Sequence, residues 1–294
     1  MNAEGAPPPA WLAASRRFSY RRTLGAGASG VVVEAFDAER REALAVKALA
    51  RPASAPARAA LEAHFRALAA LDHPRLVAPY ELVDGGDLLL LTMPVAPGEP
   101  LGALLLEQNA APTHLLFGQP TLDPAAARAA AARPRPTPAL RLALGDVAEG
   151  LAALHAGGLC HGDLRPDNAL VGPDGRARLI DFGPWAPGEA EGARRERPPA
   201  YLAPEQAPDA PPDPAADCYA FGVLLFEALT GHLPFAGSAL DVTMRKTTLP
   251  PPRPSFLARN VEPALDALAL ALLARDPAER PSAAEASERL RPGA

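Results

Sequence analysis

CHGDLRPDNAL, residues 160–170, places His161, Asp163, Arg165, Asp167 and Asn168 within eight residues and then returns to apolar residues. Charged and amide groups at the edge of an apolar segment lose hydration unless they are paired or used, so such a cluster marks a site. Taken singly each residue has a plainer reading: Asp163 alone is an ordinary turn or cap residue. The surroundings decide between the two. Upstream, ALRLALGDVAEGLAALHAGG (139–158) has helical apolar spacing and ends on glycines. Downstream, ARLIDFG (177–183) is a short apolar run that ends on Asp181.

The chain has 294 residues, 48% apolar and 21% charged, which describes a folded protein large enough for one large domain or two lobes with their own cores. Its 36 prolines and many alanines read as a base bias, so single Pro-Ala or Ala-Arg runs carry no signal. A net charge of -5 gives no reason to expect nucleic acid or an anionic membrane as partner. Two cysteines, Cys160 and Cys218, make no disulfide framework and fit a reducing cytoplasm. The opening MNAEGAPPPAWLAASRR lacks a basic region followed by an apolar one, and no stretch reaches the roughly 20 apolar residues of a membrane span. LLLLTMPV (88–95) is strand-sized. A cytoplasmic location follows as the expectation.

Residues 1–17 read as a flexible Pro-rich tail. FSYRRTLG, VVVEAFD and EALAVKAL read as strands, 57–71 as an amphipathic helix through Leu61, Phe65, Leu68 and Leu71, and YELVDGGDLLLLTMP as a hairpin turning at Asp-Gly-Gly-Asp. Helices are expected at 101–108, 139–158, 217–231 (apolar nearly all round), 261–277 and 282–290, with a surface insertion over 109–137. No internal repeat is visible. Sheet first and helices afterwards make an α+β chain.

LGAGASGVV (24–32) carries Gly25, Gly27 and Gly30 in a G-x-G-x-x-G-x-V frame. Such glycines serve either a turn that needs positive φ or a loop whose N–H groups approach a phosphate. A dinucleotide fold would set them between a strand and a helix. Here strand residues lie on both sides, so a hairpin flap over a nucleotide fits better. Lys47 follows in AVK on the third strand.

In this order and spacing the residues resemble the eukaryotic-type protein kinases of the serine/threonine kind found in bacteria, over roughly 18–291. The resemblance implies a bilobal fold: an N-lobe over 18–95 with an antiparallel sheet and one helix, a mainly helical C-lobe over 96–291, and ATP in the cleft between them. It implies ATP and Mg2+ as cofactors and transfer of the γ-phosphate to protein Ser/Thr hydroxyls, the work of a non-specific serine/threonine protein kinase. Asp163 would accept or orient the hydroxyl proton, Asn168 and Asp181 would hold the metal, Lys47 would meet the α- and β-phosphates, and Arg165 would face the γ-phosphate. Leu24, Gly25, Gly27, Gly30, Val32, Ala45, Lys47, Met93, Val95, Ala96 and Leu170 would contact the nucleotide. Met93 stands at the gatekeeper position, and the backbone of Pro94–Ala96 would meet the adenine edge, Pro94 with its carbonyl alone. Asp217 resembles the aspartate that holds the catalytic-loop backbone, and Arg280 the arginine that pairs with Glu205 of Ala203-Pro204-Glu205. The chemistry suits the residue types: phosphoryl transfer gathers negative charge on oxygens, and magnesium, a hard ion, takes oxygen ligands.

The chain also departs from the pattern. His64 stands where a helix glutamate normally pairs with the strand lysine. Glu62, two residues earlier, is about 200° round the helix. Gly162 replaces the arginine that receives an activation-loop phosphate, residues 184–200 contain no Ser or Thr, and Arg197-Pro198 replaces the usual Gly-Thr. These features imply a signalling kinase not regulated by activation-loop phosphorylation. The alternative is a pseudokinase, an ATP-binding or scaffolding module. A small-molecule phosphotransferase is disfavoured by the glycine flap, Ala-Pro-Glu and DCYAFG. Expected partners are a protein substrate with Ser/Thr and a regulatory protein, with no nucleic acid and no membrane. The last helix ends close to the end of the sequence, so the expectation is a chain with no attached sensor or anchor, whose signal arrives through a partner or which is not switched.

Overall fold

The computed structural model describes residues 9–13, 15–27, 30–109, 113–116, 119–122, 136–182, 198–206 and 213–291. Residues 1–8, most of 109–137, Gly183 and the loop to 197 therefore lie outside the described residues. The chain divides into two compact units, with the boundary at Pro97 and Gly98.

The first unit is a five-stranded antiparallel sheet in the order β1-β2-β3-β5-β4. Its strands are β1 (Phe18–Gly27), β2 (Gly30–Asp37), β3 (Glu42–Ala50), β4 (Glu81–Asp84) and β5 (Leu88–Pro94). Alternation sorts the side chains between faces. Phe18, Val33, Ala35, Leu44, Val46 and Leu90 bury one face together with Leu12. Ala45, Leu49, Leu89 and Leu91, which alternate with that set along β3 and β5, are buried as well. Both faces of these strands are covered, which is why EALAVKAL and LLLL read as nearly continuous apolar runs. Helix α2 (Ala55–Ala69) starts on Ser54, whose hydroxyl accepts from Ala57 N–H, and buries Leu61, Phe65 and Leu68.

Part of the expected tail belongs to this unit. One helical turn, α1 (Ala10–Ala13), carries Leu12 into the core cluster, and Trp11 packs against it. Arg17 forks onto the buried Asp37 at 3.0 and 2.7 Å, pairs with Glu39 at 3.0 Å and also meets Glu81. The Arg17 guanidinium holds the Asp37 carboxyl below its usual range. A single turn is too short to show a period, and proline-rich composition hid it.

The second unit begins with β6 (Glu99–Pro100) and α3 (Leu101–Asn109). Within the expected insertion the backbone forms an antiparallel pair, β7 (Thr113–Leu116) and β8 (Gln119–Leu122), that the composition did not indicate. Helix α4 (Pro138–Ala156) is capped by Thr137 and followed by Gly157. β9 (Ala169–Val171) and β10 (Ala177–Leu179) form a small sheet with β6. Helix α5 (Pro214–Thr230) is capped by Asp213, ends on Gly231 in the left-handed conformation, and buries Tyr219, Phe221 and Phe226 almost completely. At Gly222 a Cβ would sit 2.7 Å from Leu272 Cβ, so the glycine lets α5 approach α8 (Pro263–Leu272) closely. That helix is shorter than the expected 261–277. Beyond it the carbonyls of Ala274 and Arg275 accept from Arg280. Helix α9 (Ala283–Leu290) is fastened to α4 by Arg141 Nε donating to Leu290 O at 2.9 Å. Helices α6 (Ala239–Thr248) and α7 (Pro254–Leu257) were not expected. Ser238 and Asp241 form a capping box on α6, a signal the sequence does contain.

Candidate active site

In the first unit the antiparallel register sets the expected nucleotide residues in two rows. Gly25 faces Val32, Val32 faces Lys47, and Lys47 faces Leu91. One pair further along, Glu34 faces Ala45 and Ala45 faces Met93. Directly opposed residues share a face, and a two-residue step returns to it. Val32, Ala45, Lys47 and Met93 are therefore neighbours on one sheet surface. Gly27 and Gly30 pair across the turn, so strands do flank the glycines on both sides. Leu24 is exposed on β1, and Val95 and Ala96 follow β5 outside the ladder, half-buried. Lys47 is 2% exposed. His64 lies on the same helical stripe as Leu61, Phe65 and Leu68, half-buried, with its ring edge-on to Phe65 at 5.7 Å. Glu62 points elsewhere, to Arg58 at 2.9 Å.

The second unit builds the 160–170 loop. Asp217, buried near the start of α5, accepts from His161 N–H at 2.7 Å and Gly162 N–H at 2.8 Å, one on each carboxylate oxygen. His155 Nε2 at the end of α4 reaches the same carboxylate at 3.0 Å. Gly162 has φ of 73, a conformation that glycine takes without the Cβ clash of other residues, so the glycine suits this turn locally. His161 is fully buried, and burial lowers its pKa, so the ring is neutral. A single tautomer satisfies both nitrogens: Nε2–H donates to Ile180 O at 3.1 Å and Nδ1 accepts from Asp163 N–H at 3.3 Å. The same ring meets Phe182 edge-on at 5.4 Å.

Asn168, in a short 3-10 turn (Pro166–Asn168), uses its amide nitrogen on Asp163, donating to the backbone O at 2.7 Å and to Oδ2 at 3.1 Å. Its Oδ1 is thereby left as the oxygen donor. β9 and β10 pair Ala169 with Leu179, and Ile180 N–H donates to Asn168 O at 3.0 Å. Asn168 and Asp181 thus stand at the same end of one two-stranded ladder. Asp181 takes a left-handed φ of 60, which breaks the line of β10 there. An amide oxygen and a carboxylate are hard donors, so the pair fits magnesium completed by phosphate oxygens. Arg165 pairs with Asp167 at 3.1 Å, and its Nε is buried without a hydrogen-bond partner among the described residues. Leu170 sits mid-strand in β9, paired with Arg178 and Pro100.

A cavity of about 20 Å³ lies beside Asp163, lined by Gly162, Pro198, Tyr201 and Leu202 among others. Tyr201 donates to the half-buried Glu227 at 2.9 Å. Glu205 receives Arg280 on both oxygens, at 2.6 and 2.7 Å, as expected for that pair. Burial pushes Cys160 and Cys218 up to about 12, and both thiols are free.

Residues 18–290 match the family model described as protein kinase domain. The chain belongs to the protein kinase domain family. It is 34% identical over 278 residues to serine/threonine-protein kinase PknL of Mycobacterium bovis, a match that covers 90% of this chain and 62% of that protein. It is 32% identical to pkn2 of Myxococcus xanthus, covering 94% and 32%, and 31% identical to PkaA of Streptomyces coelicolor, covering 94% and 49%. The chain therefore spans about a third to three fifths of these relatives. The sheet unit and the helical unit are the N-lobe and C-lobe of the α+β kinase fold. Among the described residues no helix is long and apolar enough to cross a membrane.

Sequence reasoning assigned Asp163, Asn168, Asp181 and Asp217 but missed two partners. His155 ends an ordinary amphipathic helix, and nothing local marks it as a partner of Asp217. Lys246 on α6 did carry a signal, being one of two lysines in the chain.

Proposed function

We propose that this chain transfers the γ-phosphate of ATP, with Mg2+, to Ser/Thr hydroxyls of a protein. The observation that carries this reading is the connected set Asp217–loop backbone–Asp163–Asn168, which holds an acceptor carboxylate and a hard oxygen donor in fixed register. In the transfer, the substrate hydroxyl oxygen bonds to the γ-phosphorus while the bond to the β–γ bridging oxygen breaks. Asp163 accepts the hydroxyl proton. Asn168 and Asp181 would hold magnesium, which supplies charge neutralisation at the phosphate oxygens. Lys47, Arg165, the glycine hairpin and the Val32–Ala45–Met93 surface, with Leu24, Val95, Ala96 and Leu170, are assigned to the nucleotide. The absence of Ser and Thr from 184–200 makes this a kinase not switched by phosphates there. Two free thiols held protonated by burial support a reducing cytoplasm, where a partner protein would carry the regulation.

His64 favours a second reading, a module that binds ATP without efficient transfer. A neutral imidazole cannot hold Lys47 as a carboxylate would. His64→Glu should raise the transfer rate about fivefold, the equivalent of about 1 kcal/mol from a partly buried ion pair. A lower rate in that variant would assign His64 a role of its own.

The test of function uses purified chain, labelled ATP and a generic basic protein. Magnesium-dependent label transfer is expected. ATP with magnesium should also raise the melting temperature more than ATP alone. Stabilisation without transfer would establish the binding module, and no stabilisation at all would remove the nucleotide reading.

A further inference from the structure

Of the 29 lysine and arginine residues in this chain, only Lys47 and Lys246 are lysine. Both are buried, at 2% and 5% exposure. Arginine serves every other cationic position, so lysine is confined to two places where a compact ammonium is used. Lys47 is the residue assigned to the phosphates. Lys246 projects from α6, and its Nζ donates to Pro199 O at 3.0 Å and to Leu202 O at 2.8 Å. A tetrahedral ammonium can serve two carbonyls three residues apart in a tight space. A planar guanidinium is larger, and its donors are fixed in one fork.

The segment it grips faces the catalytic loop. Pro198, Tyr201 and Leu202 line the small cavity with Gly162 and Asp163. Immediately beyond, Glu205 is held by Arg280. Burial pulls the Lys246 pKa down to about 8, while Glu205 pulls it up. The two carbonyl acceptors also favour the charged form.

We propose that Lys246 is a positioning residue for phosphoryl transfer: its buried ammonium fixes residues 199–202 from α6, so the wall beside Asp163 is set without any phosphate on the preceding loop. This rests on the proposed kinase function for its link to catalysis, though not for the grip itself. Lys246 pins from within the fold what an added charge would otherwise have to order, and that suits a chain with no hydroxyl at 184–200.

The test compares the wild-type chain with Lys246→Met, Lys246→Gln and Lys246→Arg by amide hydrogen exchange and by steady-state kinetics. In Lys246→Met the amides of 199–206 should exchange about tenfold faster or more, given the loss of two hydrogen bonds from a charged donor. KM for the protein substrate should rise, while KM for ATP and the stabilisation by ATP with magnesium stay as in wild type. Lys246→Gln, which keeps one donor group, should fall between, and it carries the test if the methionine variant does not fold. Lys246→Arg should not restore wild-type behaviour. Unchanged exchange at 199–206, an increase spread evenly over the C-lobe, or full rescue by arginine would each overturn the proposal. If the wild type transfers no phosphate, the kinase reading fails, and the exchange result still decides the grip.

Discussion

Asp163→Asn is expected to lower phosphate transfer by about 10²- to 10⁴-fold, the range over which a positioned general base acts. The substitution is nearly isosteric and removes the basic oxygen while leaving most of the scaffold intact. Asn168 can still donate to the Asp163 backbone oxygen, which it meets at 2.7 Å, and an amide oxygen can accept the second bond now made to Oδ2 at 3.1 Å. Asp217 goes on holding His161 and Gly162 by their backbone N–H groups, which the change does not touch. Loop geometry, melting temperature and magnesium-dependent ATP stabilisation should therefore match wild type, and kcat alone should collapse. The measurements are single-turnover transfer rates and thermal unfolding with and without ATP and magnesium. Transfer at the wild-type rate would remove Asp163 from its role as base. Loss of ATP stabilisation along with the rate would show that the change had disturbed the nucleotide site instead.

Arg280→Ala should cost about 3 kcal/mol of C-lobe stability, the lower part of the range for breaking a buried ion pair. The Arg280 side chain is fully buried, whereas Glu205 is one-third exposed, so water can partly recover the carboxylate and the upper part of the range is not expected. Besides Glu205, the guanidinium donates to the carbonyls of Ala274 at 2.8 Å and Ala215 at 2.9 Å and lies 5.1 Å from the Tyr219 ring centre. Removing it strands those carbonyls and empties the space over the ring. Glu205→Gln should cost less, because an amide can still accept from the arginine. The two single variants and the double variant, unfolded in denaturant, form a cycle that isolates the pair. A loss below about 1 kcal/mol for Arg280→Ala would show that the carbonyls find other donors. Residues 203–206 should loosen with the substitution, so exchange at those amides is a second check.

Much of the site was legible because its chemistry is written within a few residues. The glycine hairpin announced itself through strand residues on both sides, and the register confirms that arrangement at Gly27 and Gly30. HGDLRPDN and Asp181 could be assigned together through the family resemblance, and the structure sets Asn168 and Asp181 at one end of the β9–β10 ladder. Other features were illegible for equally physical reasons. Leu12 reaches the core from a single helical turn, too brief to show a period. Helix α6 has a polar average, so its apolar pattern is faint, though the Ser238–Asp241 box was there to be read. The placement of His64 on the buried stripe of α2 follows from its spacing to Phe65 and Leu68, and its partial burial needed the packed structure.

By itself the sequence determined the strand and helix periods, the caps, the glycines at forced turns and the kinds of group available for phosphate and metal, all of which depend on neighbours within about one helical turn. Only the tertiary structure decided who meets whom where no resemblance pointed the way: His155 with Asp217, 62 residues away, and Lys246 with Pro199 and Leu202, 47 and 44 residues away. Those contacts arise when whole elements pack and buried polar groups must find partners, a requirement that no local pattern of residues expresses.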